Sequence, residues 1–263
     1  MAGDIALLAV AAAAAVAAAP ALRCRFVGGD DLRLLLKHPL VSRPCWANAL
    51  QLLTRPHYDL YQPLPMLAYM AEYRLYGRAP LGYHVDRLIL HTANALLAWW
   101  LVWQLTRRLS TSTLTGLAFA VHPLAVEAVA SVAKLTIGLS TALVLACMIA
   151  YLRWRQRGGA RRYGLSLLTG LLALLCKPIV TLPLGLWLLE AYRARFDRRR
   201  LSWRHLAGGL PLLITAVVAG WLNLQITSRA GLTGQARQER AGPIAARAAL
   251  VDGWALVRYV WPA

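Results

Sequence analysis

Residues 88–105 read LILHTANALLAWWLVWQL and are followed by Thr106-Arg107-Arg108. Eighteen residues whose one ionisable side chain is His91, closed by paired arginines, are long enough as a helix to enter a hydrocarbon core about 30 Å thick. Trp99, Trp100 and Trp103 gather toward the charged end, where indoles anchor helices at a membrane interface. The whole chain agrees with this segment: 59% of its 263 residues are hydrophobic, 15% are charged and the mean hydropathy is +0.49. A soluble globular domain carries about a quarter of its residues as charges, so a soluble enzyme is excluded.

Working outward, Ile5–Leu22 is uncharged and rich in alanine, and Asp4 stands where a secretory leader would carry a base. It is expected as an uncleaved first span. Leu114–Val132 and Leu135–Leu152 form an antiparallel pair, stopped by Arg153, Arg155, Arg157, Arg161 and Arg162. Tyr163–Glu190 is cut by Lys177-Pro178 and Pro183 and predicts a broken pair or a re-entrant hairpin, because proline removes a helix hydrogen bond. Leu206–Ile226 is a further span. The expected fold is all-α: a polytopic transmembrane bundle of about six to seven spans in a single module. Its parts are a first span at 5–22, a long loop at 23–87, further spans across 88–226 and a tail at 227–263.

Charge orients the bundle. The loops near 106–113, 153–162 and 190–205 hold thirteen basic residues against Glu190 and Asp197, which places them in the cytoplasm by the positive-inside rule. Segments 23–87 and 227–258 hold seven of the 11 acids and fall on the exoplasmic side. The net charge of +18 is thereby accounted for by membrane topology and lipid headgroups, and nucleic acid is not an expected partner. Four cysteines, at 24, 45, 147 and 176, include Cys24 and Cys45 on the outer face; these can bridge in an oxidising compartment or remain free thiols. No metal-binding spacing is present among them.

The long loop should contain structure. From Pro63, the residues Met66, Tyr69, Met70 and Tyr73 fall at helical spacing, with Glu72 and Arg74 off that face, so an interfacial helix is expected. Gly28-Gly29-Asp30-Asp31 puts two carboxylates just beyond the first span. Adjacent carboxylates raise one another's pKa and can supply a base, while an aspartate before Leu32–Leu36 also suits a helix N-cap. His84, Arg87 and His91 line one side of a helix entering the membrane, where ionisable groups usually face a cavity. His122-Pro123 and Glu127 lie at the outward end of the third span, with His122, Lys134 or a bound cation as partners for Glu127. Lys177 is a lone charge in an apolar stretch, suited to a phosphate or to snorkelling outward.

Taken in order, LYQPLPMLAYMAEYRLYG (60–77), GYHVDRLILH (82–91), FAVHPLAVEAVA (119–130) and LCKPIVTLPLGLWLLE (175–190) resemble the signature segments of the GT-C membrane glycosyltransferases of the protein O-mannosyltransferase type, in the branch with C-terminal tetratricopeptide repeats and its bacterial relatives. The resemblance implies an enzyme that takes a sugar from a polyprenyl-phosphate carrier and transfers it, with inversion, to a protein or glycan hydroxyl on the exoplasmic side, in bacteria the periplasmic face of the inner membrane. It assigns the base to Asp30, with Asp31 orienting it or binding a divalent cation. His84, Arg87, His122, Glu127, Lys134 and Lys177 are expected to bind donor or phosphate. The chain departs from the family pattern where relatives commonly read H-x-x-N and it has His84-x-x-Arg87, and where many have Arg-x-Asp or Arg-x-Glu and it has Leu135-Thr136-Ile137. It stops at Trp261-Pro262-Ala263, roughly where relatives begin another exoplasmic segment with further spans and repeats, so it is expected to be an N-terminal half. A truncated relative that binds lipid-linked sugar or a partner without catalysis is the competing reading. A transporter would show two corresponding halves, which are not apparent.

Overall fold

The computed structural model describes residues 1–26, 29–57, 61–177, 181–196 and 207–232. Gly28, Tyr58, Asp59, Pro178, Asp197, Arg198, Arg199, Arg200, Arg204, Glu239 and Asp252, on which parts of the sequence reading rest, lie outside them. Ten α-helices follow one another among the described residues, and none of these residues forms a β-sheet. They are α1 (Ala2–Ala18), α2 (Trp46–Thr54), α3 (Pro63–Tyr76), α4 (Pro80–Thr106), α5 (Leu109–Val121), α6 (Pro123–Ala130), α7 (Leu135–Arg157), α8 (Ala160–Cys176), α9 (Thr181–Phe196) and α10 (Leu210–Leu232). The protein is an all-α membrane protein.

With the 3-10 turn Ala19–Arg23, α1 forms a continuous apolar stretch of 22 residues. Its stripe of Ala6, Val10, Ala14 and Ala18 is buried, whereas Ile5, Leu8 and Val16 point outward. Small side chains at i, i+4 spacing let neighbouring backbones approach, which is how helices associate in lipid. Gly116 of α5 lies so close to α1 that a Cβ there would come within 2.9 Å of Val10 Cγ2. The 27-residue α4 runs through the centre and packs on α1, α5 and α7. It starts at Pro80, eight residues before the expected Leu88, so His84 and Arg87 belong to the same rod as the apolar segment.

The expected third span is not straight. The chain bends by 47° between α5 and α6 at His122-Pro123, because Pro123 has no N–H for the carbonyl four residues back and its ring blocks it. At the far end of α6, Ser131 and the 3-10 turn Val132–Lys134 redirect the chain into α7. The α7–α8 hairpin closes on Gly158 and Gly159, whose φ of 65° and 95° lie in the left-handed region that favours glycine. The expected break near Lys177 falls between α8 and α9.

Among the described residues, three helices are long and apolar enough to cross a membrane, or four with the bent α5–α6 pair. The other expected spans fall on α8 and α9, of 17 and 16 residues, and on the apolar part of α10, Leu210–Ile226. Tyr163 donates to the Gly208 carbonyl at 3.0 Å beside one end of α10, and Asn223 Oδ1 accepts the Tyr61 N–H at 3.1 Å toward the other. α10 therefore connects the two ends of the bundle.

Those ends differ in charge. One carries exposed Arg107, Arg108, Arg153, Arg157, Arg161 and Arg162, together with Glu190, which is buried and held by Arg155 at 2.5 and 3.0 Å. Arg153 lies 4.4 Å above the Trp100 ring, the cation–π contact of an interface anchor. The other end carries residues 29–57 and 61–87 and the turn at 131–134. There Leu35, Leu52, Met66, Tyr69 and Tyr83 form a core with Val132. The long loop is thus folded down onto the bundle. Helix α3 buries Met66 and Tyr69 as expected, but it also buries Glu72, which the sequence pattern placed off the apolar face.

Candidate functional site

The site begins with the inner face of α4. His84, Arg87, His91 and Asn94 recur every three or four residues and are all at most 5% exposed. Each meets a backbone carbonyl on a neighbouring segment: His84 Nδ1 lies 3.3 Å from the Val129 oxygen, Arg87 Nε donates to Val132 at 3.1 Å, His91 Nε2 lies 3.0 Å from the Ala120 oxygen and Asn94 Nδ2 donates to Gly138 at 2.9 Å. Ala120 and Val129 sit in the final turns of α5 and α6, where a helix leaves its last carbonyls without intrahelical donors. In an apolar environment such groups must be satisfied by neighbours. The stripe expected to face a cavity therefore also supports the breaks that shape it.

That cavity is a cleft of about 480 Å³ between α4, the α5–α6 bend and α7. Leu90, Phe119, Leu124 and Ile137 dominate its walls, and Arg87, His91, Asn94, His122 and Lys134 supply polar groups. Asn94 Oδ1 and His84 Nε2 are buried without a hydrogen-bond partner among the described residues. Lys134 forms an ion pair with Glu127, and both side chains are about one-third exposed. Of the partners considered for Glu127, the structure selects Lys134. His122 is exposed, and its ring makes no hydrogen bond among the described residues.

The acidic pair is divided by its surroundings. Asp31 is 2% exposed, and its Oδ1 accepts the Ala133 N–H at 2.7 Å and the Ser131 hydroxyl at 3.4 Å. Asp30 is exposed, and its carboxylate has no partner among the described residues. Neither makes a side-chain cap for the π-helical turn Leu32–Leu36 that follows. Asp31 is thus fastened to the turn that carries Lys134, while Asp30 next to it remains open.

Arg87 lines the cleft and is at the same time engaged by a carboxylate. Its Nη1 and Nη2 donate to Glu72 at 2.6 and 2.9 Å, a bidentate pair buried between α3 and α4. Lys177 is exposed at the C-terminal end of α8 and is not among the residues lining the cleft, the outward position that was one of its two expected placements. Lys177 precedes a proline in the sequence, and the residue before a proline is disfavoured in a helix, so α8 ends at Cys176. Among the described residues no three or more His, Cys, Asp or Glu side chains gather as a metal site. Cys24 and Cys45 are both free thiols.

Glu72 and Tyr69 were missed as polar participants. Tyr69 donates its hydroxyl to the Ala133 carbonyl at 2.6 Å, and burial pushes its pKa up. A signal was available for Glu72, since Arg87 is a charge at the edge of a span and needs a carboxylate within reach. Choosing Glu72 over Asp86 required the tertiary fold.

No protein-family model matches the chain, and no solved structure matches it. It is similar to the Protein O-mannosyl-transferase Tmtc1 of Drosophila melanogaster, with 33% identity over 165 residues that make up 56% of this chain and 18% of that protein. A protein O-mannosyl-transferase of Caenorhabditis elegans is 28% identical over 154 residues, 52% of this chain and 22% of the relative. These alignments give the chain an O-mannosyltransferase-like relationship. The chain spans about a fifth of the length of the curated relatives it matches.

Proposed function

We propose that the chain is the donor-binding and base-bearing part of a membrane glycosyltransferase of the GT-C type, which moves a sugar from a polyprenyl phosphate to a hydroxyl of a protein or glycan acceptor. The observation that carries this reading is the apolar cleft, which has a cation, Lys134, on the turn to which Asp31 of the acidic pair is bonded. Its aliphatic and aromatic walls suit an isoprenoid chain, and Lys134 suits the phosphate. Similarity to O-mannosyltransferases supports sugar transfer and makes mannose the first sugar to try.

In the proposed step the acceptor hydroxyl oxygen attacks the sugar anomeric carbon, and Asp30 takes the hydroxyl proton. The bond from that carbon to the phosphate oxygen breaks on the opposite face, so configuration inverts and polyprenyl phosphate leaves with the electron pair. Lys134, exchanging Glu127 for the phosphate, offsets charge developing on the leaving group. Asp31 orients its neighbour through the bonds to Ser131 and Ala133. The acid-bearing end is exoplasmic and the arginine-rich end cytoplasmic in this reading.

The test is transfer from a synthetic polyprenyl-phosphate mannose to serine- and threonine-containing peptides, with the protein reconstituted in vesicles. Asp30→Asn should lower turnover by about 10²–10⁴-fold, the usual consequence of losing a general base, with donor binding kept. Undiminished turnover in Asp30→Asn would remove the assignment. Donor binding without any transfer by the parent chain would instead favour the non-catalytic reading.

A further inference from the structure

The turn at 131–134 is gripped from three directions, and the grip includes residues that the proposed chemistry does not use. Asp31 accepts from the Ala133 N–H, Tyr69 of α3 donates to the Ala133 carbonyl, and Arg87 of α4 donates to the Val132 carbonyl. Glu72 of α3 then holds the Arg87 guanidinium by both terminal nitrogens. Tyr69 and Glu72 lie three residues apart and therefore on one helix face, and the Arg87 guanidinium is 5.9 Å from the Tyr69 ring centre. Arg87 is 2% and Glu72 8% exposed.

An ion pair buried this deeply is a poor source of net stability, because desolvation offsets much of the attraction. Its geometry is specific, however. A guanidinium presents its Nε–H and its terminal nitrogens in one rigid plane, so fixing the fork on Glu72 also aims Nε at Val132. The lysine at the end of this turn lines the cleft, and the aspartate bonded to its middle, Asp31, directly follows Asp30 in the chain. A displacement of the turn would move both the cation and the base.

We infer that Glu72 and Arg87 are positioning residues: the pair clamps the Val132–Lys134 turn through the Arg87 Nε bond to the Val132 carbonyl, and so sets Lys134 and the Asp30-Asp31 pair relative to the cleft. Arg87 is by this account withdrawn from donor binding. The kinetic part of the inference rests on the proposed transfer; the structural part does not.

The experiment uses the full chain in lipid nanodiscs with four variants: Arg87→Gln, Arg87→Lys, Glu72→Gln, and the exchange Glu72→Arg with Arg87→Glu. Three quantities are read for each: kcat and donor KM for transfer, hydrogen exchange of the amides at 131–134, and the melting temperature. Arg87→Gln should lower kcat by roughly 10- to 100-fold, the scale of a misplaced catalytic group, with donor KM changed little and exchange at 131–134 accelerated by at least about tenfold. Arg87→Lys, which keeps charge but loses the planar fork, should fall between it and the parent. Glu72→Gln frees the fork and should accelerate the same amides.

The exchange variant separates positioning from simple stabilisation. It restores opposite charges between α3 and α4, so the melting temperature should recover. A carboxylate on α4 cannot donate to the Val132 carbonyl, so turnover and amide protection should not. Recovery of all three together would overturn the inference, as would parental exchange at 131–134 in Arg87→Gln. Should the parent show no transfer at all, the proposed function fails, and the hydrogen exchange of the same variants still decides the clamp.

Discussion

Gly116 offers the sharpest test of how the bundle is packed. A Cβ on this residue would lie 2.9 Å from Val10 Cγ2, 3.1 Å from Val10 Cγ1 and 3.1 Å from Trp99 Cβ. All three are inside ordinary van der Waals separation, and neither partner can yield cheaply. Val10 is fully buried on α1, and Trp99 Cβ is attached directly to the backbone of α4. Gly116→Ala must therefore move one helix against two others, an overpacking that costs about 1–3 kcal/mol. Its gain in helix propensity offsets at most about 1 kcal/mol. Each ~1.4 kcal/mol is a factor of ten, so an intermediate net cost is readily resolved. Equilibrium unfolding of the detergent-solubilised protein, followed by circular dichroism, measures it. Val10→Ala removes both nearest methyl groups and should recover much of the loss when combined with Gly116→Ala, with a coupling of at least about 0.5 kcal/mol. Gly164 of α8 is the control: nothing lies within 4 Å of its Cβ position, so Gly164→Ala should be neutral or stabilising. Parental stability in Gly116→Ala, or strict additivity with Val10→Ala, would refute the close approach of α1, α4 and α5.

Three further outcomes are expected. Single cysteines at Arg55 and Arg157, both exposed and at opposite ends of the bundle, should be labelled by an impermeant thiol reagent on intact cells at 55 and not at 157; the reverse pattern would invert the proposed orientation. Burial, followed by the nearby His57, holds the pKa of His38 down to about 4, and its Nδ1 accepts the Val41 N–H at 3.4 Å. An unfolded histidine at its ordinary value binds more protons in that range, so stability is complete above about pH 6.5 and should fall as pH drops toward about 4; a melting series over pH should flatten in His38→Gln. Asp31→Ala leaves the Ala133 N–H without its acceptor and should cost about 1–3 kcal/mol by the same unfolding assay, with Asp31→Asn, which keeps an acceptor oxygen, costing less.

Local sequence was sufficient wherever a property depends on consecutive residues. Hydrocarbon length and the absence of charge identify α1, α4 and α7 as membrane helices, since lipid selects segments one at a time. Pro123 marks a break because a missing N–H acts on its own turn, although its effect was expected further along, at Lys177-Pro178, and not within the third span. The periodicity of Met66 and Tyr69 identified the buried face of α3. Glu72 was assigned to the wrong side of that face because hydropathy ranks a carboxylate as exposed, and burial becomes affordable for it through Arg87, fifteen residues away on another helix. Likewise, Asp30 and Asp31 are equivalent as neighbours in sequence, yet one is open and the other is locked onto a turn a hundred residues later. Which carbonyl His84, His91 or Asn94 would meet depended on where α5 and α6 end in space. Charge, length and proline act through the chain itself, whereas the partner of a buried polar group is whichever distant backbone atom the packing leaves unsatisfied.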